Sequence, residues 1–139
     1  MKKIFIGLLL SLVVIGCDTT KKSKELGDEN AGKTVIGWYY YYVNEGSYDQ
    51  IIQYLDEDYI KEMPKEELFN KIKQRAESQG KIKEFLIKDW KLVEKDKKAK
   101  VTEYEFRYDV KYEGGKSEVE DFTLIKRGND LKIREIDFD

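Results

Sequence analysis

The sequence contains no histidine, one cysteine and one proline among its 139 residues. Without imidazole, the chain lacks the most common general base, the most common zinc ligand and the base that serine and cysteine triads require. It also contains no glycine-rich phosphate loop and no calcium-loop pattern. These absences exclude the most common hydrolase, zinc-protein and nucleotide-binding classes, and we expect neither a metal nor a cofactor.

Long apolar runs are also scarce, and the longest one lies at the start of the chain. Residues 4–15 are apolar except for Gly7 and Ser11, and they follow the basic Lys2 and Lys3. This run of 12 residues is too short for a transmembrane helix, which needs about 20. A basic start, a short apolar segment and small residues are typical of a secretory signal peptide.

The single cysteine follows this segment in the motif Val14-Ile15-Gly16-Cys17. The motif resembles the lipobox of bacterial lipoproteins. The resemblance implies cleavage between Gly16 and Cys17 and attachment of diacylglycerol to the sulfur through a thioether. Because two or three acyl chains such as palmitate anchor a protein stably, it predicts a lipid-anchored protein at the extracytoplasmic face of a bacterial cell membrane. An ordinary export signal with a free or buried cysteine is the alternative.

The predicted processing divides the chain into three parts. Residues 1–16 form the signal peptide, residues 17–31 the lipidated cysteine and a flexible tether, and residues 32–139 a single domain. The tether is polar and has no apolar period. Removal of the signal peptide with its two lysines changes the formal net charge from −2 to −4. We expect no binding to nucleic acid, which usually requires a concentrated basic surface.

The first half of the predicted domain has helical periodicity. Spacings of three and four residues predict a helix over residues 32–45, and its predicted apolar face consists of Val35, Trp38, Tyr39, Tyr42 and Val43. Ser47 and Gln50 have the spacing of a capping box before a short second helix. Pro64 falls in the first turn of a third helix, which ends at Gly80 and has an apolar face of Leu68, Ile72 and Ala76.

The second half of the domain alternates between apolar and polar residues. In residues 103–112, EYEFRYDVKY, every second residue is apolar, which predicts a strand with one buried face. Further strands are predicted at 82–93, 119–126 and 131–138, and two slips in the alternation, at 119–122 and 133–136, predict bulges. Helices followed by a four-stranded antiparallel sheet define an α+β domain.

Several segments support a more specific resemblance, namely GSYDQIIQYLDEDYIKEM, IKDWKLVEK and YDVKYEGGKSEVEDFTLIKRGNDLKI. With the order of elements, they resemble the nuclear transport factor 2-like superfamily and, within it, small bacterial lipoproteins of unknown function. The resemblance covers about residues 32–139. It implies N-terminal helices packed on a curved four-stranded antiparallel sheet, which forms a cone with an opening. Many relatives dimerise through the open sheet face, so a homodimer through that face is an expectation.

Aromatic residues are the main candidates for a binding surface, because their amphipathic rings line ligand pockets and the centres of protein interfaces. The candidates are Trp38, Tyr42, Trp90, Tyr104, Tyr108 and Tyr112. For the sheet tyrosines, packing in the core is the alternative interpretation. We therefore expect a non-catalytic domain that binds a small ligand or a protein partner.

An enzyme is the second hypothesis, because the superfamily includes ketosteroid isomerases, which combine an aspartate base with tyrosine and protonated-acid oxyanion donors. In this chain Asp121 lies at a predicted bulge and is the carboxylate expected to point inward. The resemblance then implies a histidine-free isomerase or hydratase that uses this carboxylate and tyrosines. The acidic cluster Asp56-Glu57-Asp58 is expected to be a solvated helix end.

Overall fold

Helices precede strands along the chain, as the periodicity predicts. A computed structural model describes residues 27–138, so Gly16, Cys17 and the predicted signal peptide lie outside the described residues. The helical segments are α1 at residues 27–45, a 3₁₀ helix η1 at Tyr48–Tyr54, α2 at Glu57–Glu62 and α3 at Lys65–Gln79. The strands are β1 at Ile82–Asp96, β2 at Val101–Tyr112, β3 at Ser117–Arg127 and β4 at Asp130–Asp137.

The four strands form one open antiparallel sheet in the order β1-β2-β3-β4. This arrangement confirms the α+β class. On β2 the alternation is confirmed in full, since its apolar residues are buried and the polar residues between them face the other side. The helices pack on that apolar face, so the core lies between the helical layer and one side of the sheet.

One of the two predicted bulges is confirmed and the other is wrong. Thr123 pairs with Glu135 and Leu124 with Ile133, which leaves Arg134 as the additional residue of a bulge in β4. In contrast, β2 and β3 pair without interruption from one end to the other. The slip at residues 119–122 exists because a charged residue, Glu120, occupies a core position of β3.

The apolar face of α1 overlaps the predicted one but is rotated relative to it. Tyr39 is buried, and Val35, Tyr42 and Val43 pack partly buried against the core, as predicted. Ile36 and Tyr40 are buried as well, whereas Trp38 is exposed. The rotation follows from Gly32, which packs so closely on the sheet that a Cβ at this position would lie 2.2 Å from Cζ of Phe106. α1 also includes residues 27–31, which belong to the predicted flexible tether.

The connections between α1 and α3 differ from the predicted capping box. The Ser47 side chain makes no capping hydrogen bond, and the following segment is the 3₁₀ helix η1. Asp56 instead caps α2, because its carboxylate accepts a hydrogen bond from the amide of Asp58 at 3.3 Å. Pro64 lies one position before α3 rather than in its first turn. The end of α3 at Gly80, whose φ is 85°, agrees with the prediction.

Candidate functional site

A buried carboxylate on β3 is the centre of an internal polar cluster. Glu120 is 2% exposed, and the hydroxyl of Tyr112 donates a hydrogen bond to its Oε2. The hydroxyl of Tyr40 on α1 donates to Oε1 at 3.4 Å. Nη1 of Arg75 on α3 lies 3.5 Å from Oε2. Three elements of the fold therefore supply partners to one carboxylate.

The protonation of this cluster follows from its burial. Desolvation raises the pKa of Glu120 above its ordinary value, although the hydrogen bond from Tyr112 and the charge of Arg75 act in the opposite direction. Burial and the nearby carboxylate also raise the pKa of Tyr112 and of Tyr40. Both tyrosines therefore keep their protons at neutral pH and act as hydrogen-bond donors to the carboxylate.

Arg75 is the cationic member of the cluster. Burial lowers its pKa, but the charges of Glu120 and Glu118 raise it, with a net upward shift. Its Nη2 lies 3.5 Å from the Glu118 carboxylate, and its Nη1 is buried without a hydrogen-bond partner. Nη1 therefore contacts the Glu120 carboxylate at ion-pair distance without forming a hydrogen bond.

The space beside this cluster is small. A cavity of about 20 Å³ borders Arg75, Tyr112 and Glu120, and the ring of Phe138 forms part of its wall. Such a volume holds about one water molecule. The interior of the domain is therefore filled by side chains at this point, and it does not admit an organic substrate in this conformation.

Asp121, the predicted inward carboxylate, lies on the opposite face of the sheet, so that prediction is wrong. Its two carboxylate oxygens accept hydrogen bonds from Nε and Nη2 of Arg107 at 2.8 and 3.0 Å. These hydrogen bonds lower the pKa of Asp121. Without a bulge in β3, alternation places residue 121 outward and Glu120 inward. The signal for Glu120 was present in the sequence, because it stands two residues before the apolar Phe122 on the same face.

The candidate aromatic residues separate into exposed and buried groups. Trp38 is 44% exposed and stacks on Tyr42 with 5.8 Å between ring centroids. Tyr41, which is 51% exposed, contacts both rings, and Tyr54 of η1 stacks on Tyr42 at 6.1 Å. These four residues, Trp38, Tyr41, Tyr42 and Tyr54, are here named the aromatic patch. Tyr41 and Tyr54 were not among the sequence candidates. Tyr41 belongs to the same run of tyrosines as Tyr42, and Tyr54 belongs to the next helix.

The other candidates do not form a surface. Trp90 is partly buried and stacks on Phe106 at 6.1 Å. Tyr104, Tyr108 and Tyr112 are buried in the core, so their prediction as a ligand or partner surface is corrected. The physical reason is the alternation itself, which places all three on the face of β2 that the helices cover.

The acidic cluster at the start of α2 has a structural role. Asp56 is 5% exposed, and its carboxylate accepts hydrogen bonds from Nε and Nη2 of Arg127 at 3.1 and 3.4 Å. The expectation of a solvated helix end is therefore wrong for this residue. Within residues 27–138, no group of three acidic or cysteine side chains is arranged to hold a metal ion.

Over the same part of the chain, no helix has the length and apolar character needed to cross a membrane. Neither protein-family models nor curated protein sequences show a significant match to this chain.

Proposed function

We propose that this chain is a lipid-anchored lipoprotein of the extracytoplasmic face of a bacterial cell membrane, with a non-catalytic nuclear transport factor 2-like domain. We further propose that the domain binds a protein partner through the aromatic patch. The observation that carries the proposal is the combination of a very small cavity beside Glu120 with four contiguous rings on the outside of the helical layer. The order of helices and strands agrees with the fold that the resemblance implies.

The composition of the aromatic patch supports a protein partner. Tryptophan and tyrosine supply large contact areas at low cost in conformational entropy and are enriched at interface hot spots. Trp38 and Tyr41 are among the most exposed large apolar side chains of the domain. Rings that are already packed on one another also lose little additional freedom when a partner covers them.

The charges near the patch favour a protein over an anionic lipid surface. An anionic membrane attracts basic side chains, at about 1 kcal/mol each. The positions of α1 one helical turn from the patch residues hold no lysine or arginine, and the charged residue there is Glu45. Along α1, the patch is therefore not flanked by the basic residues that membrane binding would use.

The patch can be tested with the acylated full chain in its native membrane. Cross-linking and mass spectrometry should identify a protein captured by the wild type and lost in the variant Trp38→Ala/Tyr41→Ala. The variant Leu86→Ala/Leu92→Ala is the matched control, because it removes two exposed apolar side chains from β1. Equal capture by the patch variant and this control would contradict the proposed interface.

The anchor is tested separately, by labelling cells that express the chain with radioactive palmitate. The motif at residues 14–17 supports incorporation into the wild type and none into Cys17→Ser. Incorporation into both variants, or into neither, would contradict the anchor without bearing on the patch.

The second candidate function is a histidine-free isomerase or hydratase, and the Glu120 cluster favours it. In this version Glu120 takes the role first assigned to Asp121, with Tyr112 and Tyr40 as hydrogen-bond donors. The cavity of about 20 Å³ weighs against it, because a substrate would need side chains to move.

A bacterial metabolite extract incubated with the protein provides the test of this second function, and nuclear magnetic resonance detects any turnover. Turnover that is lost in Glu120→Gln and kept in Asp121→Asn would establish the enzyme and overturn the non-catalytic proposal.

A further inference from the structure

The last described residue of the chain lies against the buried polar cluster. The pairing of β3 with β4 ends at Asp121 and Asp137, so Phe138 lies beyond the strand ladder. Nη2 of Arg75 donates a hydrogen bond to the carbonyl oxygen of Phe138. The Cζ atom of Arg75 also lies 5.5 Å from the centroid of the Phe138 ring, which is within cation–π distance. Arg75 thus contacts both the ring and the carbonyl group of one residue.

The surroundings of the Phe138 ring have the character of a ligand pocket. Apolar side chains of α1 and α3, including Tyr39, Ile72 and Ala76, border the same small cavity. Polar groups border it as well, namely the guanidinium of Arg75, the carboxylate of Glu120 and the hydroxyl-bearing Tyr112. Nη1 of Arg75 is buried and makes no hydrogen bond. Apolar walls combined with directed polar groups are typical of small-molecule sites.

We propose that the space filled by Phe138 is a binding site for an aromatic ring that carries a nearby carbonyl or carboxylate oxygen, and that Phe138 occupies this site in cis. The ligand would place its ring where the Phe138 ring lies and its oxygen where Arg75 donates. This chemistry occurs in small aromatic acids and in phenylalanine residues of peptides. The inference goes beyond the proposed function, because it involves neither the aromatic patch nor the lipid anchor.

The position of Phe138 makes displacement feasible. No strand pair is broken when this residue leaves, because β4 pairs with β3 only as far as Asp137. Removal of the Phe138 ring would enlarge the existing cavity beside Arg75, and engineered apolar cavities of about 150 Å³ take up benzene. In the wild type a free ligand competes with a ring attached to the same chain, so we expect weak binding until Phe138 is removed.

Calorimetric titration of the full-length variant Phe138→Ala tests the site with two probes, 3-phenylpropionate and N-acetylphenylalanine amide. We expect at least one probe to bind Phe138→Ala tenfold or more tightly than the wild type. The acid and the amide distinguish a free aromatic acid from a peptide residue as the source. Phe69→Ala is the matched control, because it removes a partly buried phenyl ring from α3 that contacts Tyr48 instead. This control should bind as weakly as the wild type.

Two further measurements test the role of Arg75. Adding Arg75→Met to Phe138→Ala should abolish the gain in affinity, and 3-cyclohexylpropionate should bind Phe138→Ala less tightly than its aromatic counterpart. Near-ultraviolet circular dichroism checks that each variant is folded, and Phe138→Leu replaces Phe138→Ala if the latter is not. A folded variant at position 138 that binds both aromatic probes no better than Phe69→Ala would overturn the proposal. Binding that survives Arg75→Met, or that is equal for the cyclohexyl probe, would overturn the recognition by Arg75.

Discussion

Glu120 and Asp121 are adjacent in β3, yet their carboxylates lie on opposite faces of the sheet. Glu120 points into the core and accepts hydrogen bonds from Tyr112 and Tyr40. Asp121 points outward and forms an exposed ion pair with Arg107. The two residues carry the same charge in nearly the same place along the chain, so their variants separate the effect of burial from the effect of charge.

We expect Glu120→Ala to lower the free energy of unfolding by at least about 3 kcal/mol, because it leaves two buried hydroxyl groups without their acceptor and removes the buried counter-charge of Arg75. Asp121→Ala should cost only a small fraction of that amount, since exposed ion pairs contribute little. Urea denaturation of both variants measures the difference. Similar losses for the two would show that the Glu120 cluster does not stabilise the core.

The pH dependence of stability should also distinguish these two carboxylates. Burial raises the pKa of Glu120 above its ordinary 4.5, so its contribution is complete below that pH and is lost as pH rises through the folded-state pKa. The wild type should therefore lose stability relative to Glu120→Gln as pH rises above about 4.5, by at most about 1.4 kcal/mol per pH unit.

Asp121→Asn is the control for this experiment, because the contribution of Asp121 to stability should depend on pH in the opposite direction. The hydrogen bonds from Arg107 lower the pKa of Asp121 below its ordinary 3.8, so its contribution is present above that pH and is lost as pH falls through the folded-state value. Urea denaturation between pH 3 and pH 8 provides the measurement. A difference between wild type and Glu120→Gln that stays constant over this range would contradict the raised pKa.

The sheet could be predicted from the sequence because its signals are local. Ten residues of strict alternation identify β2 and its buried face, and the glycines at 114–115 and 128 locate the two turns that follow it. Leu68 and Ile72 likewise identify the buried face of α3. These signals depend only on the spacing of residues within one helix or strand, so no knowledge of distant contacts is required.

The candidate site could not be predicted in the same way, because it depends on contacts between distant parts of the chain. Tyr40 and Glu120 are 80 residues apart in sequence, and only the packing of α1 on the sheet brings them together. In the aromatic run of α1, the predicted apolar face and the observed buried face overlap, and both have helical spacing. Gly32 decides between them through its contact with Phe106, and periodicity does not contain that information.

Two glycines of α1 test this explanation of its orientation. A Cβ at Gly32 would lie 2.2 Å from the Phe106 ring, whereas a Cβ at Gly37 has no neighbour within 4 Å. We expect Gly32→Ala to destabilise the domain by about 1–3 kcal/mol through overpacking. Gly37→Ala should instead stabilise it by up to about 1 kcal/mol, because alanine favours the helix. Thermal unfolding of both variants measures the effects, and a stable Gly32→Ala would show that α1 is not fixed by this contact.

Asp56 offers a test of how the second half of the helical layer is attached to the sheet. Its buried carboxylate caps α2 and binds Arg127, the last residue of β3. Asp56→Ala removes both functions, and we expect a loss of about 2–4 kcal/mol, from a capping term of about 1 kcal/mol and a larger ion-pair term.

Asp56→Asn separates these two contributions, because asparagine caps helices as well as aspartate does but carries no charge. We therefore expect this variant to lie between the wild type and Asp56→Ala in urea denaturation. Asp58→Ala is the control, since Asp58 also contacts Arg127 but is exposed, and its loss should be much smaller. If Asp56→Asn were as unstable as Asp56→Ala, the ion pair with Arg127 would account for the whole effect. If Asp56→Asn were as stable as the wild type, the helix cap would account for the whole effect.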